Sequence, residues 1–317
     1  MAILYSDDVF LEHDTGSHPE SSDRLRSIHR HVDDSGLRKR FQAGAIDPAT
    51  LEQLSRVHDK EYVEYVAQIA ERGGGRIDAD TVVSRRSYDV ARKAAGAAVA
   101  AVDNVVGGQH QKAMCLCRPP GHHALKDRGM GFCLFNNVAV AARHAQEEHG
   151  LSRILIVDWD VHHGNGTQAV FYDHDEICFF SAHRYPFYPG TGSSDETGHG
   201  PGLGSTFNLP LAFGVSRAEY LKRFQAMLER AAEHCRPELV FISAGFDAHR
   251  DDPIGSLGLQ DEDFGALTTL VALVAENYCN GKIVSLLEGG YNVEALARSV
   301  GQHIEALVPK SSSDGDG

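Results

Sequence analysis

Residues Ile154–Gly166 read ILIVDWDVHHGNG, an apolar run that ends in two aspartates and two histidines. Four apolar residues in succession fit a strand buried on both faces of a parallel sheet, and the acidic, His-rich, Gly-broken end fits its carboxyl-terminal loop. Open α/β sheets bind their ligands at that position. If the backbone stays extended past Val157, alternate residues share a side, so Asp158, Asp160 and His162 project together while Trp159 and Val161 point away. Aspartate oxygen and neutral imidazole nitrogen are ordinary ligands of a divalent cation, and a catalytic zinc site needs three protein ligands with one position open. Taken singly, such carboxylates more often cap helices and such histidines are satisfied loop residues. An Asp-x-Asp and a His-His at one strand end, followed by Gly-Asn-Gly, favour a metal or catalytic site.

Other polar motifs also follow apolar runs. Asp247, just past Leu239–Ser243, is the best candidate for a third ligand beside Asp160 and His162, the competing reading being a cap of the following turn. Two carboxylates and one imidazole leave a coordination position for water and substrate, as metal-assisted hydrolysis requires. His122 and His123 sit in a Pro-Pro-Gly turn; histidine is the usual acid or base at neutral pH, and each ring needs a partner to fix its tautomer. Asp158 can serve one and Asn165 the other, although a His-His pair in a loop is often only solvated. Tyr291, beside Gly289 and Gly290, is placed to donate a phenolic hydrogen bond to a developing oxyanion, or else packs on the sheet edge.

These motifs require a framework. Strands are expected at Ile3–Tyr5, Ala113–Cys117, Ile154–Asp158, Ile177–Ser181, Thr206–Leu209, Leu239–Ser243 and Ile283–Leu287. Helical periodicity fills the intervals at Tyr88–Val106, Asn137–Glu148, Ala218–Cys235, Phe264–Tyr278 and Val293–Val308. Such alternation predicts an α/β fold, a mostly parallel sheet with helices on both faces, and five loops meeting at one edge. At 317 residues the chain can bury a large core, and only the tail SSSDGDG reads as disordered. A formal net charge of -14, spread along the chain, argues against a nucleic-acid surface. The absence of a signal-like start or a long apolar run argues against a membrane partner and for a cytoplasmic protein. The six cysteines have no Cys-x-x-Cys spacing and read as reduced, buried small hydrophobes.

In order, RPPGHHA (Arg118–Ala124), GFCLFNN (Gly131–Asn137), DWDVHHGNGTQ (Asp158–Gln168), SAGFDAH (Ser243–His249) and LEGGYN (Leu287–Asn292) resemble the zinc-dependent histone deacetylase family, closest to its class II branch and bacterial relatives. The likeness runs from about Tyr5 to Val308. It implies an arginase/deacetylase-like single domain over residues 1–309, with a disordered tail at 310–317. It also implies hydrolysis of the amide of N6-acetyl-lysine or another acyl-lysine in a peptide or protein. By motif, Asp160, His162 and Asp247 would hold one Zn2+, His123 would be general base and then acid, His122 its electrostatic partner, and Tyr291 the oxyanion donor. Asp158 and Asn165 match the partners of the two histidines; a neutral amide at 165 orients His123 without favouring its charged form. The resemblance further implies a monovalent cation, usually K+, near Asp158, Asp160, His162, Ser181 and Ala182. It implies a substrate tunnel walled by Gly131, Phe132, Tyr188, Ile254, Gly289 and Gly290. Ile254 falls where polyamine deacetylases carry a glutamate, so acyl-lysine is favoured over acetylpolyamine, the alternative substrate. A non-catalytic acyl-lysine binding module is the third reading, and the presence of His122, His123 and Tyr291 weighs against it.

Overall fold

The run Ile154–Asp158 is an interior strand of an eight-stranded sheet in the computed structural model of the chain, which describes residues 2–309. Met1 and residues 310–317, where the disordered tail is expected, lie outside the described residues. In chain order the elements are β1 (Ala2–Tyr5), α1 (Ser22–Asp34), β2 (Phe41–Ala43), α2 (Leu51–Ser55), α3 (Lys60–Glu71), β3 (Gly74–Arg76), β4 (Val82–Ser84), α4 (Ser87–Val106) and β5 (Lys112–Cys115). There follow α5 (Asn137–His149), β6 (Ile154–Asp158), α6 (Asn165–Phe171), β7 (Ile177–Arg184), β8 (Thr206–Leu211), α7 (Arg217–Cys235), β9 (Leu239–Ala244), α8 (Asp261–Cys279), β10 (Ile283–Leu287) and α9 (Val293–Leu307).

The large sheet has the order β2-β1-β5-β10-β9-β6-β7-β8 with every pairing parallel, and β3-β4 form a separate antiparallel hairpin. This is the expected α/β architecture. Strands β6, β9 and β10 are buried along their whole length, as parallel strands covered on both faces must be. Helices α1, α9, α8 and α7 pack on one another in succession, and α4 packs on α5, so two helical layers enclose the sheet. All six cysteines are free and buried. Among the described residues no helix is long and apolar enough to cross a membrane.

Several strand limits differ from expectation, and two of them bear on the site. β7 continues past the expected end at Ser181 to Arg184, so Ala182 also lies inside the strand, because β8 pairs with the whole stretch Phe179–Arg184. β5 closes at Cys115, and Leu116–Gly121 belong to the turn that carries the two histidines. The carboxyl ends of β10, β9, β6 and β7 are neighbours, with β5 beside β10, so the loops after all five strands open at one edge.

Candidate active site

The backbone does not stay extended past Asp158. Asp158 Oδ1 accepts from the Asp160 N–H (3.0 Å) and Asp160 Oδ1 from the His162 N–H (2.9 Å), so each carboxylate bends the chain into a turn. The expected one-sided trio is thereby corrected: Asp158 turns away, and Asp160 and His162 meet Asp247 from the end of β9. The ligand atoms of these three lie within 4.8 Å of one another. His162 Nδ1 is 3.0 Å from Asp160 Oδ1 and 3.1 Å from Asp247 Oδ2. A tetrahedral ion with bonds near ~2.0 Å spaces its ligands by roughly 3.3 Å, close to what is found. Asp247 Oδ2 is buried without a hydrogen-bond partner, and burial together with the Asp160 charge pushes the Asp247 carboxyl up to about 7. An orphaned oxygen and two crowded buried carboxylates are relieved by a divalent cation, so the donor set fits one.

The oxygens facing away from the trio are tied down. Asp247 Oδ1 accepts from Val161 N (2.8 Å) and Asp160 Oδ2 from Gly289 N (2.9 Å). A Cβ at Gly289 would run into both carboxylates, which explains a glycine there. Whereas all three members of the trio are buried, a second His/Asp group, Asp103 with His144 and His149, has an exposed carboxylate. Its Nε2 to Oδ1 separations are 2.7 and 2.8 Å, the spacing of hydrogen bonds. The Arg56 guanidinium, 3.4 Å from His144 Nδ1, makes that nitrogen the acceptor and leaves the proton on Nε2.

The turn that carries the two histidines is held by Glu288, whose Oε2 accepts from the N–H groups of Gly121 (2.7 Å) and His122 (3.2 Å). His122 Nδ1 lies 2.9 Å from Asp158 Oδ2, and His123 Nδ1 lies 2.7 Å from Asn165 Oδ1. The amide oxygen of Asn165 can only accept, so His123 carries its proton on Nδ1 and keeps a lone pair on Nε2. Burial opposes charge on both rings. At His122 the carboxylates of Asp158 and Asp160 outweigh it and raise the pKa well above the usual value. At His123 burial, reinforced by His122 and His162, lowers it well below.

A cavity of about 230 Å³ opens onto this group, and His123, His162 and Tyr291 all face it. Phe187 stacks on the His162 ring (5.3 Å between centroids, 15°), and Tyr188 meets His123 edge-on at 5.3 Å. Opposite, Phe132 meets Tyr291 edge-on at 5.5 Å. Gly131 and Phe132 have φ of 55° and 72°, a left-handed pair that lets the wall approach His123, since a Cβ at Gly131 would enter its ring. Ile254 completes the lining together with Asp80, a residue the sequence reading missed. Burial raises the Tyr291 phenol well above its usual pKa, so it stays an O–H donor.

Gly289 and Gly290, expected in the tunnel wall, are not among the described residues that line the cavity. A Cβ at Gly289 would meet the Asp160 and Asp247 carboxylates, and one at Gly290 would meet Leu296 and Phe246. Ser181 is the register partner of Asp158 across β6 and β7, and Ala182 follows it in β7. Supports invisible in the sequence also appear. Arg24, from α1, donates to the carbonyls of Gly290 (2.6 Å) and Glu288, and its guanidinium lies 5.0 Å from the Tyr291 ring centre. Glu20 binds both Arg24 and Arg118, all three fully buried. Asp252 accepts from backbone N–H groups on both sides of the cavity rim.

The sheet order and the placement of the site at its carboxyl edge define an α/β enzyme of the arginase/deacetylase fold class. Residues 18–307 match the family model described as the histone deacetylase domain, and the chain belongs to the histone deacetylase family. It is 40% identical over 275 residues to the histone deacetylase-like amidohydrolase of Pseudomonas aeruginosa, covering 86% of this chain and 72% of that one. It is 39% identical over 323 residues to the human polyamine deacetylase HDAC10, covering 97% of this chain and 48% of the relative. Among solved structures, the crystal structure of the HDA15 HD domain superposes with a TM-score of 0.92 at 36% identity, covering 98% of this chain and 88% of that one. The family's members among these relatives are amidohydrolases and deacetylases.

Proposed function

We propose that the protein hydrolyses the amide of acyl-lysine side chains in peptides or proteins, with one Zn2+ held by Asp160, His162 and Asp247. The observation that carries this reading is that His123, His162 and Tyr291 face one cavity of about 230 Å³ whose other lining is largely apolar and aromatic. A divalent cation held by Asp160, His162 and Asp247 would supply Lewis acidity toward the acyl carbonyl and would lower the pKa of water. His123, its Nδ1–H fixed on Asn165, uses Nε2 to take a proton from the attacking water and returns it to the departing lysine amine. His122, paired with Asp158, is the charged neighbour that tunes that exchange. Tyr291 donates its O–H to the carbonyl oxygen as negative charge develops there. Phe132, Phe187 and Tyr188 line the apolar path for the lysine methylenes, and a K+ near Asp158 and Ser181 would brace the loop from behind.

The apolar rim residue Ile254 supports acyl-lysine, since it offers no partner to a second ammonium. Asp80 in the same lining, together with the name of the human relative, supports acetylpolyamine as the second reading. A panel of acyl-lysine peptides and acetylpolyamines, assayed with metal-reconstituted protein, tests both. Higher kcat/KM on the peptides is expected; a preference for acetylspermidine sinks the acyl-lysine reading, and inertness toward every amide sinks hydrolysis itself.

A further inference from the structure

We infer that Asp252 is the positioning residue that holds Tyr291 and the substrate rim as one body. The inference rests on the amide-hydrolysis reading above. The Asp252 side chain is 8% exposed and spans two loops. Its Oδ1 accepts from the N–H groups of Ile254 (2.9 Å) and Gly255 (2.9 Å), and its Oδ2 from those of Tyr291 (2.7 Å) and Asn292 (3.3 Å). Four backbone donors converge on one carboxylate, two on each oxygen. The two loops come from different strands, β9 and β10, and each delivers a residue to the cavity: Ile254 at its rim and Tyr291 inside it.

Asn292 reinforces the link. Its Oδ1 caps α9 by accepting from Ala295 N (3.1 Å), while its Nδ2 donates to Asp251 O (3.0 Å). Tyr291 therefore sits between a capped helix start and a carboxylate that also fixes the rim. A rim displaced by a badly fitting substrate pulls on Asp252, and through it on the main chain that aims the phenol.

Asp252→Asn tests this, because an amide turns one acceptor into an NH2 group that must face two N–H groups whichever way it is oriented. With metal content and melting temperature measured alongside, kcat on an acetyl-lysine peptide should fall about tenfold or more. In a Tyr291→Phe background the same substitution should change kcat by less than about twofold, since a missing hydroxyl cannot be misplaced. Equal losses in both backgrounds, or no loss in either, overturn the inference. Tyr291→Phe alone guards the underlying reading: if it keeps full turnover, the role of Tyr291 fails; if it loses turnover while Asp252→Asn does not, only the positioning role fails. Should the Asn variant not fold, hydrogen exchange on the unaltered protein decides. The amides of Ile254, Gly255 and Tyr291 should be protected to the same degree, and fast exchange at Tyr291 beside slow exchange at Gly255 rejects the link.

Discussion

Replacing Glu20 with glutamine should be costly, and the structure gives the size in two ways. Glu20 is fully buried between two guanidiniums: Arg118 reaches it through Nε (2.5 Å) and Nη2 (2.8 Å), and Arg24 through Nη1 (3.1 Å). Removing the one negative charge leaves two buried cations unpaired, which costs about 3–5 kcal/mol. The second measure is the acidity of the group. Burial alone would raise its pKa, yet Arg118, with His13 and Arg24, lowers it from 4.5 to about 2. A difference of that size corresponds to about 3 kcal/mol. Because the folded state releases this proton more readily than the unfolded chain, stability rises with pH. The contribution is complete above about pH 4.5 and disappears as pH falls through 2. A chain of this length has an unfolding entropy of about 0.7 kcal/mol per kelvin, so the Glu20→Gln melting temperature at neutral pH should drop by about 5 °C. Thermal and urea unfolding of both proteins from pH 7 to pH 2.5, at equal metal loading, should show the gap closing below pH 4.5. A variant that melts within about 1 °C of the parent at neutral pH refutes the reasoning.

Three further outcomes follow. Tyr291→Phe should retain stoichiometric zinc while turnover of an acetyl-lysine peptide falls by about 10²–10³, the usual worth of an oxyanion donor; kcat and metal content are the measurements. Ile254→Glu should shift the ratio of kcat/KM values toward acetylspermidine by about tenfold or more, through a new charged hydrogen bond at the rim. Gly289→Ala, whose methyl would press on Asp160 and Asp247, should weaken zinc binding about 10–100-fold in a competition titration, with the fold intact by circular dichroism.

The strands that bear the site were legible because each is a continuous apolar run with a polar end, as in Ile154–Asp158 and Leu239–Ala244. Helix α1 was not. Its SDRLRSIHRHVDD is mostly polar, and only Leu25, Ile28 and Val32, with the aliphatic stem of Arg24, reveal a buried stripe. Residue chemistry offered Asp158 and Asn165 as partners of the two histidines, the family resemblance assigned which to which, and the structure brings each pair within hydrogen-bond reach. What an extended-strand rule could not anticipate is that Asp158 and Asp160 spend one oxygen each on the N–H two residues ahead, which breaks the alternation. Supports such as Arg24 on Gly290 are separated by 266 positions and carry no local pattern. Asp252 left a fainter trace, an Asp-Pro step that reads only as a turn.

The position of β10 bears on how the chain is made. Among the described residues it is the last strand in sequence, yet it lies between β5 and β9 near the middle of the sheet. During synthesis the chain can assemble β2-β1-β5 and β9-β6-β7-β8 only as separate half-sheets, each with an open parallel edge, until residues 283–287 leave the ribosome. Strand edges of that kind are sticky. The nascent chain thus depends on residues 283–291 both to close its core and to deliver Tyr291, so a ribosome that stops before them releases an aggregation-prone pair of half-sheets rather than a weak enzyme.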